Sequence, residues 1–370
     1  MERLRILVQS RDFPPQSGGI AQVAYRLSAA LARLGHDVEA HATPDGTLPE
    51  PPPEAPFVMR AFTPNALAAA FRDYLARGRP DLVVAVHWKA ARGSGSLCRK
   101  LGIPLLVVVH GKEVSERRGW LRRRRLGRVL RAAQRVICVS RFTASTAVEG
   151  FGLPEERVRM IPLGLDVERY GPADPPAGFR DRYGLGAGPV LLTVGRVVER
   201  KGHDMVIRAL PRVAAAHPDV KYVVCGGGSP GELDRLRALA EAEGVEDRVV
   251  FAGHVPEEDL RGLSRPCGGC VTPSPRRAGG APDRFGITYL EAGACARPVI
   301  GGREAGVVDA VVDGETGYLV DPRDPAAIAD AIDAILADPA LARAMGEAGR
   351  ARVLEGFTWD RIAERYLAAV

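Results

Sequence analysis

The sequence predicts an α/β protein made of two successive doubly wound parallel-sheet domains. Three observations carry this expectation. The apolar runs are short, of strand length, and read as strands covered on both faces. They alternate with helical patterns, and that alternation runs through the chain twice. At 370 residues the chain also exceeds the roughly 250–300 residues at which a single core stops growing.

The elements follow in order. LRILVQ reads as a buried strand, and SGGIAQVAYRLSAALARLG as a glycine loop followed by a helix that closes on Gly35. HDVEAHA is the next strand. PDGTLPEPPPEAP, residues 44–56, is a Pro-rich loop inside the first domain. DLVVAVH, PLLVVVH and RVICVS complete the first run of strands. PVLLTVG opens the second, followed by a helix from His203 to about Ala216, then KYVVCGGG, a helix through Glu232–Glu243, RVVFAG, CVTPS and PVIGG. The Pro- and Gly-rich stretch at 171–189 marks the boundary, giving expected domains 1–170 and 171–356. The tail FTWDRIAERYLAAV is an amphipathic helix beginning at a Thr358 cap.

Composition narrows the class. Hydrophobic content of 46% and charged content of 26% are those of a soluble globular enzyme. The opening MERLRILVQS holds too short an apolar run for a signal-peptide core, and no stretch reaches the roughly 20 apolar residues of a spanning helix. Six cysteines in so long a chain form no disulfide-like framework, so the expected compartment is reducing and cytoplasmic. Cys267-Gly-Gly-Cys270 has metal or redox spacing, but it lacks a second pair and runs into a strand, so a structural role is expected.

Charge is uneven. Residues 1–167 hold 26 Lys+Arg against 15 Asp+Glu, or +11, and the remainder 25 against 30, or −5. Nine arginines and no acid lie between Arg117 and Arg135. Such a segment suits an anionic partner or, more plainly, a solvated helix face. Nucleic acid is not expected, because the patch lacks an aromatic or zinc-finger framework.

Ligands of open parallel sheets bind at the carboxyl ends of strands, so the residues there are the candidates. Gly18-Gly19 follow the first strand and open a helix, where backbone N–H groups could approach a phosphate or sugar. His110 ends PLLVVVH and His87 ends DLVVAV; either could act as a base or donor in a cleft, or be a satisfied structural histidine. In VGRVVERKG, the Gly195-Arg196 turn and Lys201 place two cations five residues apart at a strand end, a pairing suited to a leaving diphosphate. GGGSPG, Gly226 to Gly231, formally matches a dinucleotide loop, though on an inner unit and without the acid that would grip a ribose. There is no GxxxxGK[ST] loop and no D-x-D metal grip. DRFGITYLEAGACARPVIG sets Asp283 and Glu291 around a turn and helix start, either to complement the helix dipole or to hold ligand hydroxyls beside an anion.

Five segments, SGGIAQVAYRLSAALARLGHDV, HGKEV, VICVSRFTA…RVRMIPLGLDVERY, VGRVVERKG and PDRFGITYLEAGACARPVIGG, together resemble the family 4 glycosyltransferases, retaining enzymes of the GT-B fold. Within that family the flavour is that of the mannosyltransferases acting on phosphatidylinositol mannosides and related actinobacterial enzymes. The resemblance implies two Rossmann-like domains facing a central cleft, with the C-terminal helix 357–370 crossing back to the first. It implies that Arg196 and Lys201 bind the donor diphosphate, Glu291 the ribose hydroxyls, and Asp283 the sugar hydroxyls. It further implies that backbone groups of Gly195, Phe285, Gly286 and Ile287 contact the donor, that Gly18 and Gly19 face the diphosphate, and that His110 contacts the sugar. No cofactor and no obligatory metal are implied, and the leaving phosphate takes the acceptor's proton.

One departure stands out. Asp283-Arg284 replaces the family's usual Glu-Gly, shortening the carboxylate's reach by a methylene and adding a cation, which puts donor choice or activity in doubt. The expected function is transfer of a hexose from a nucleotide-diphosphate sugar to a lipid-linked, phosphorylated or small-molecule acceptor. Residues 117–135 fall on the acceptor side, where their charge suits either peripheral contact with the inner membrane face or a phosphorylated soluble acceptor. Two other readings stay open: an NAD-dependent oxidoreductase using Gly226–Gly231, and a catalytically weakened nucleotide-sugar-binding protein.

Overall fold

The computed structural model describes residues 2–14, 18–42, 55–63, 66–115, 119–172, 177–256, 259–260, 267–276, 283 and 285–370. The chain divides into two compact units, Met1–Gly164 with Phe357–Val370, and Leu165–Gly356.

The first unit is built on a parallel sheet which, among the described residues, has seven strands in the order β3-β2-β1-β4-β5-β6-β7. These are β1 Arg5–Ser10, β2 Asp37–Ala42, β3 Val58–Ala61, β4 Leu82–Ala85, β5 Leu105–Val109, β6 Arg135–Cys138 and β7 Val158–Met160. β4 and β5 are buried at every position, as their unbroken Val/Leu runs require of strands sandwiched by helices. The order reverses between β1 and β4, whose register pairs Ile6 with Leu82.

Helix Gly19–Arg33 follows β1 and packs against the C-terminal helix Trp359–Leu367, so the chain returns to its first unit as the family resemblance implies. The returning helix is capped by Thr358, whose side chain accepts from the Arg361 N–H at 3.3 Å. Arg33 ties to Asp360 at 2.6 Å. Gly164 makes the contact possible: a Cβ there would lie 2.5 Å from Cδ2 of Trp359.

The second unit repeats the scheme with six strands among the described residues, in the order β10-β9-β8-β11-β12-β13. The strands are β8 Val190–Val194, β9 Lys221–Cys225, β10 Val249–Gly253, β11 Cys267–Thr272, β12 Val299–Gly302 and β13 Gly317–Val320. Its reversal lies between β8 and β11, which pair through Leu192 and Cys270. Tyr222, wholly buried under this sheet, anchors a polar cluster: its hydroxyl lies 2.9 Å from Thr193 Oγ1 and 3.0 Å from Nδ1 of His203. Helix His203–Ala216 begins at that histidine.

Cys267–Cys270 lies within β11, not at a helix start. The Pro-rich loop 44–56 falls almost entirely outside the described residues, as do Arg284 and residues 117–118 of the basic segment.

Candidate active site

In the second unit, the carboxyl ends of β8 and β11 bring together most of the residues singled out in sequence. β8 ends at Val194, and the turn after it, Gly195–Val197, is stitched to the loop after β9. Gly195 N–H donates to the Cys225 carbonyl at 2.8 Å and Val197 N–H to the Gly227 carbonyl at 2.8 Å. A Cβ on Gly226 would lie 1.9 Å from the Gly195 carbonyl oxygen, and one on Gly228 would lie 2.8 Å from Cβ of Val197. Two glycines of GGGSPG therefore serve the close approach of two loops, without needing a cofactor to explain them. Arg196 is exposed on this turn and lines a groove of about 540 Å³ with Gly227, Gly228, Ser229 and Glu232.

Lys201, five residues further, is buried instead. Its Nζ donates to Oδ2 of Asp283 at 2.6 Å, while Arg200 stands 4.0 Å from Oδ1. Ser274, just past β11, donates its hydroxyl to the same Oδ2 at 3.2 Å. Ser274 adopts φ 50°, a left-handed conformation uncommon for a residue with a Cβ, and its N–H donates to the Lys201 carbonyl at 3.3 Å. Burial opposes the charge on Asp283, but Lys201, Arg200 and the Ser274 hydroxyl outweigh it and hold the carboxyl below its ordinary range.

Helix Ile287–Ala294 starts beside this pair. Its N-cap, Gly286, sits at φ 77°, with no side chain capping the first N–H groups and no acid in the first turn. The dipole-complementing reading of the two acids therefore fails, because Asp283 is bound to Lys201 outside the helix. A Cβ on Gly286 would lie 2.4 Å from the Tyr289 ring, whose hydroxyl donates to the Thr272 carbonyl and pins the helix start to the end of β11. Phe285 buries its side chain in the core, so its backbone is the part left for a ligand. Glu291 is half-buried, one turn beyond Ile287 and on the same helix face. An uncapped helix start, a buried cation and a shared carboxylate form an environment suited to an anion with attached hydroxyls.

His203 was not foreseen. Burial, then the charge of Lys201, lowers its pKa to about 4, so the ring is neutral at physiological pH. Ser274 was also missed; its place at a strand end next to the sheet reversal is the signal that could have found it.

In the first unit, the carboxyl ends of β1, β4 and β5 hold the expected glycines and histidines. Gly18 has φ 152°, and positions 18 and 19 have open space where a Cβ would stand. His110 follows β5, with Nε2 2.7 Å from the Val86 carbonyl. A carbonyl only accepts, so Nε2 carries the proton and Nδ1 is the acceptor of the neutral ring. Its backbone N–H donates to the buried Glu113 carboxylate at 3.1 Å. Burial, then the charges of His110, Lys89, Arg11 and Arg122, lowers His87 to about 3.

Residues 17–169 match the family model described as Glycosyltransferase Family 4, and residues 180–352 the model described as Glycosyl transferases group 1. The chain belongs to the family 4 glycosyltransferases. This glycosyltransferase is 34% identical, over 96% of its length and 95% of the relative's, to the GDP-mannose-dependent alpha-(1-6)-phosphatidylinositol monomannoside mannosyltransferase of Mycolicibacterium smegmatis. It is 32% identical to a D-inositol 3-phosphate glycosyltransferase of Acidothermus cellulolyticus, over 96% of this chain and 78% of that one. Among solved structures, the sucrose-phosphate synthase of Thermosynechococcus elongatus superposes with a TM-score of 0.76 at 26% identity, over 99% of this glycosyltransferase and 98% of that chain. The fold is GT-B. Among the described residues, no helix of the glycosyltransferase is long and apolar enough to cross a membrane.

Proposed function

We propose that this glycosyltransferase is a retaining hexosyltransferase that takes a nucleotide-diphosphate hexose, with GDP-mannose the leading donor, and needs no metal. The observation that carries the reading is the buried Lys201–Asp283–Ser274 cluster beside the uncapped start of helix Ile287–Ala294. In this proposal Lys201 and Arg196 take the donor's diphosphate and offset the charge that develops as it leaves. The N–H groups of Phe285, Gly286 and Ile287 add to this at the helix start. Gly195 lets the diphosphate approach the β8 turn, Asp283 holds sugar hydroxyls, and Glu291 holds the ribose. Gly18 and Gly19 are assigned to the diphosphate and His110 to the hexose, through its Nδ1 acceptor.

Transfer then breaks the bond from the sugar's C1 to the phosphate oxygen and forms one from C1 to the acceptor oxygen on the same face. The acceptor's hydroxyl proton passes to the departing phosphate. Asp283 is already committed to Lys201, which supports a binding role over a nucleophilic one.

The two named relatives act on a phosphatidylinositol mannoside and on D-inositol 3-phosphate, whose shared chemistry is a phosphorylated inositol. That is the proposed acceptor class. Helix Trp120–Ala132 supports delivery from a membrane surface on the cytoplasmic side, because exposed Trp120 and Leu121 stand beside the arginine run.

The test is melting and transfer with GDP-, UDP- and ADP-hexoses in the presence of chelator. GDP-mannose at about 100 times its dissociation constant should stabilise by about 2.7 kcal/mol. Failure of every nucleotide sugar to bind the folded protein would remove the donor reading.

A further inference from the structure

We propose that Tyr222 and His203 are positioning residues for transfer, which fix the backbone beneath Lys201 and so aim its ammonium at the donor's leaving phosphate. The inference rests on the assignment of Lys201 to the diphosphate, and it adds two side chains that lie out of a ligand's reach.

Thr193, Tyr222 and His203 lie in the core of the second unit, each at most 1% exposed. Burying such polar groups costs stability unless hydrogen bonds meet them. Here the bonds form a chain with one direction. Thr193 Oγ1 donates to the Val271 carbonyl on β11. That uses the hydroxyl's single proton, so Tyr222, 2.9 Å away, donates to Thr193. The Tyr222 proton is then spent as well, and His203 donates to the phenol oxygen from Nδ1 at 3.0 Å. Helix His203–Ala216 is thereby tied at its first residue to the adjacent strands β9, β8 and β11. Phenylalanine would fill the same space under the sheet, so packing alone does not call for the hydroxyl.

The chain ends two residues from Lys201. Between them Gly202 holds φ 76°, and a Cβ on it would lie 2.8 Å from Cδ of Pro275. The Lys201 carbonyl accepts the Ser274 N–H at 3.3 Å. The backbone from Lys201 to His203 is therefore gripped on one side by the loop after β11 and on the other by Tyr222. From that anchored backbone, Nζ reaches Oδ2 of Asp283 at 2.6 Å. Because His203 is neutral, it holds the helix start without setting a second charge beside Lys201. Without the phenol the helix start loses its tie to the sheet, and a misplacement of about 1 Å at a reacting site can cost about 100-fold in rate.

The test counts GDP released from GDP-mannose by the full-length protein, with donor affinity read separately from the melting shift. Tyr222→Phe should fold and lower kcat at least about tenfold. Donor affinity should change little, because what is lost is stabilisation of the transition state. In a Lys201→Met background the same substitution should slow turnover no further, since its effect passes through Lys201. A purely structural role would act equally in both backgrounds. His203→Leu should be slowed like Tyr222→Phe, and His203→Gln, whose amide can still donate to Tyr222, should recover most of the rate. That pair keeps the test decisive if Tyr222→Phe does not fold. An unslowed Tyr222→Phe, an equal further loss in Lys201→Met, or equal rates for the two folded His203 variants would overturn the positioning role and leave the donor reading standing. Lys201→Met as fast as the wild type would instead overturn the donor reading, and this inference with it.

Discussion

Lys201 and Asp283 face each other at 2.6 Å, with side chains only 9% and 13% exposed, so each charge is held in place by the other. Removing one partner leaves the other buried and uncompensated. Lys201→Met should cost about 3–5 kcal/mol, whereas pairing it with Asp283→Leu should recover most of that loss. Transfer should stay at least about 100-fold down in both, because loss of a charge-stabilising group persists whatever the packing. Denaturant unfolding beside kcat/KM separates the two effects, and a double variant with restored activity would show the pair to be purely structural.

His203 predicts a specific window of acid sensitivity. Its folded pKa, about 4, lies below the ordinary 6.5, so between those values the unfolded chain binds the extra proton. The stability it contributes is complete above pH 6.5 and is lost as pH falls toward 4, by up to about 3 kcal/mol. His203→Gln should flatten that part of the profile while keeping a polar partner for Tyr222. An unchanged slope would mean that other groups set the acid limb.

Glu39 acts in a lower window. Burial alone would raise its carboxyl, but hydrogen bonds from His41 and Arg77 bring it to about 2. Its contribution is present above pH 4.5 and is lost as pH falls toward 2. The stability profile should therefore show a second decline below pH 4.5, absent in Glu39→Gln.

Gly164 is expected to be intolerant of even one methyl. Gly164→Ala drives a Cβ into the Trp359 indole and should destabilise by about 1–3 kcal/mol through overpacking. Trp359→Leu in the same chain should relieve part of the penalty, a coupling that a double-variant melting cycle would reveal or deny.

Arg124, Arg125 and Arg128 are among the exposed arginines of helix Trp120–Ala132; Arg122 lies over Trp88, and Arg123, also exposed, over Phe151. Replacing Arg124, Arg125 and Arg128 by Gln should weaken binding to anionic phosphatidylglycerol vesicles by roughly 100-fold, at about 1 kcal/mol per basic residue near the surface. The effect should shrink with added salt. Vesicle partitioning that ignores both salt and these substitutions would point to a soluble acceptor.

Much of this was legible in sequence because the strongest signals are the buried ones. The runs LLVVV and LVVA cannot be anything but covered strands or short core segments, and their alternation with helices fixed the doubly wound class. The shortest edge strands were not legible: β3, β7 and β13 are only three or four residues long, and in β3 and β7 partial exposure blurs the apolar pattern. At the site, Lys201 and Asp283 were separately visible, but their union was not, since 82 residues separate them and only the fold closes the distance. Ser274 was hidden for a different reason: its role depends on a left-handed backbone angle that no residue type announces.

The first unit is discontinuous: residues 165–356 form the second unit, and the chain then returns to finish the first with Phe357–Val370. During synthesis the second unit has all its residues before the first does, reversing the usual amino-terminal-first order. Until the last segment leaves the ribosome, helix Gly19–Arg33 lacks the partner that packs against it, and the nascent first unit presents an unfinished apolar surface. A nonsense codon just after Gly356 would thus strike the beginning of the protein, leaving the fold of the second unit intact beside a first unit unable to close.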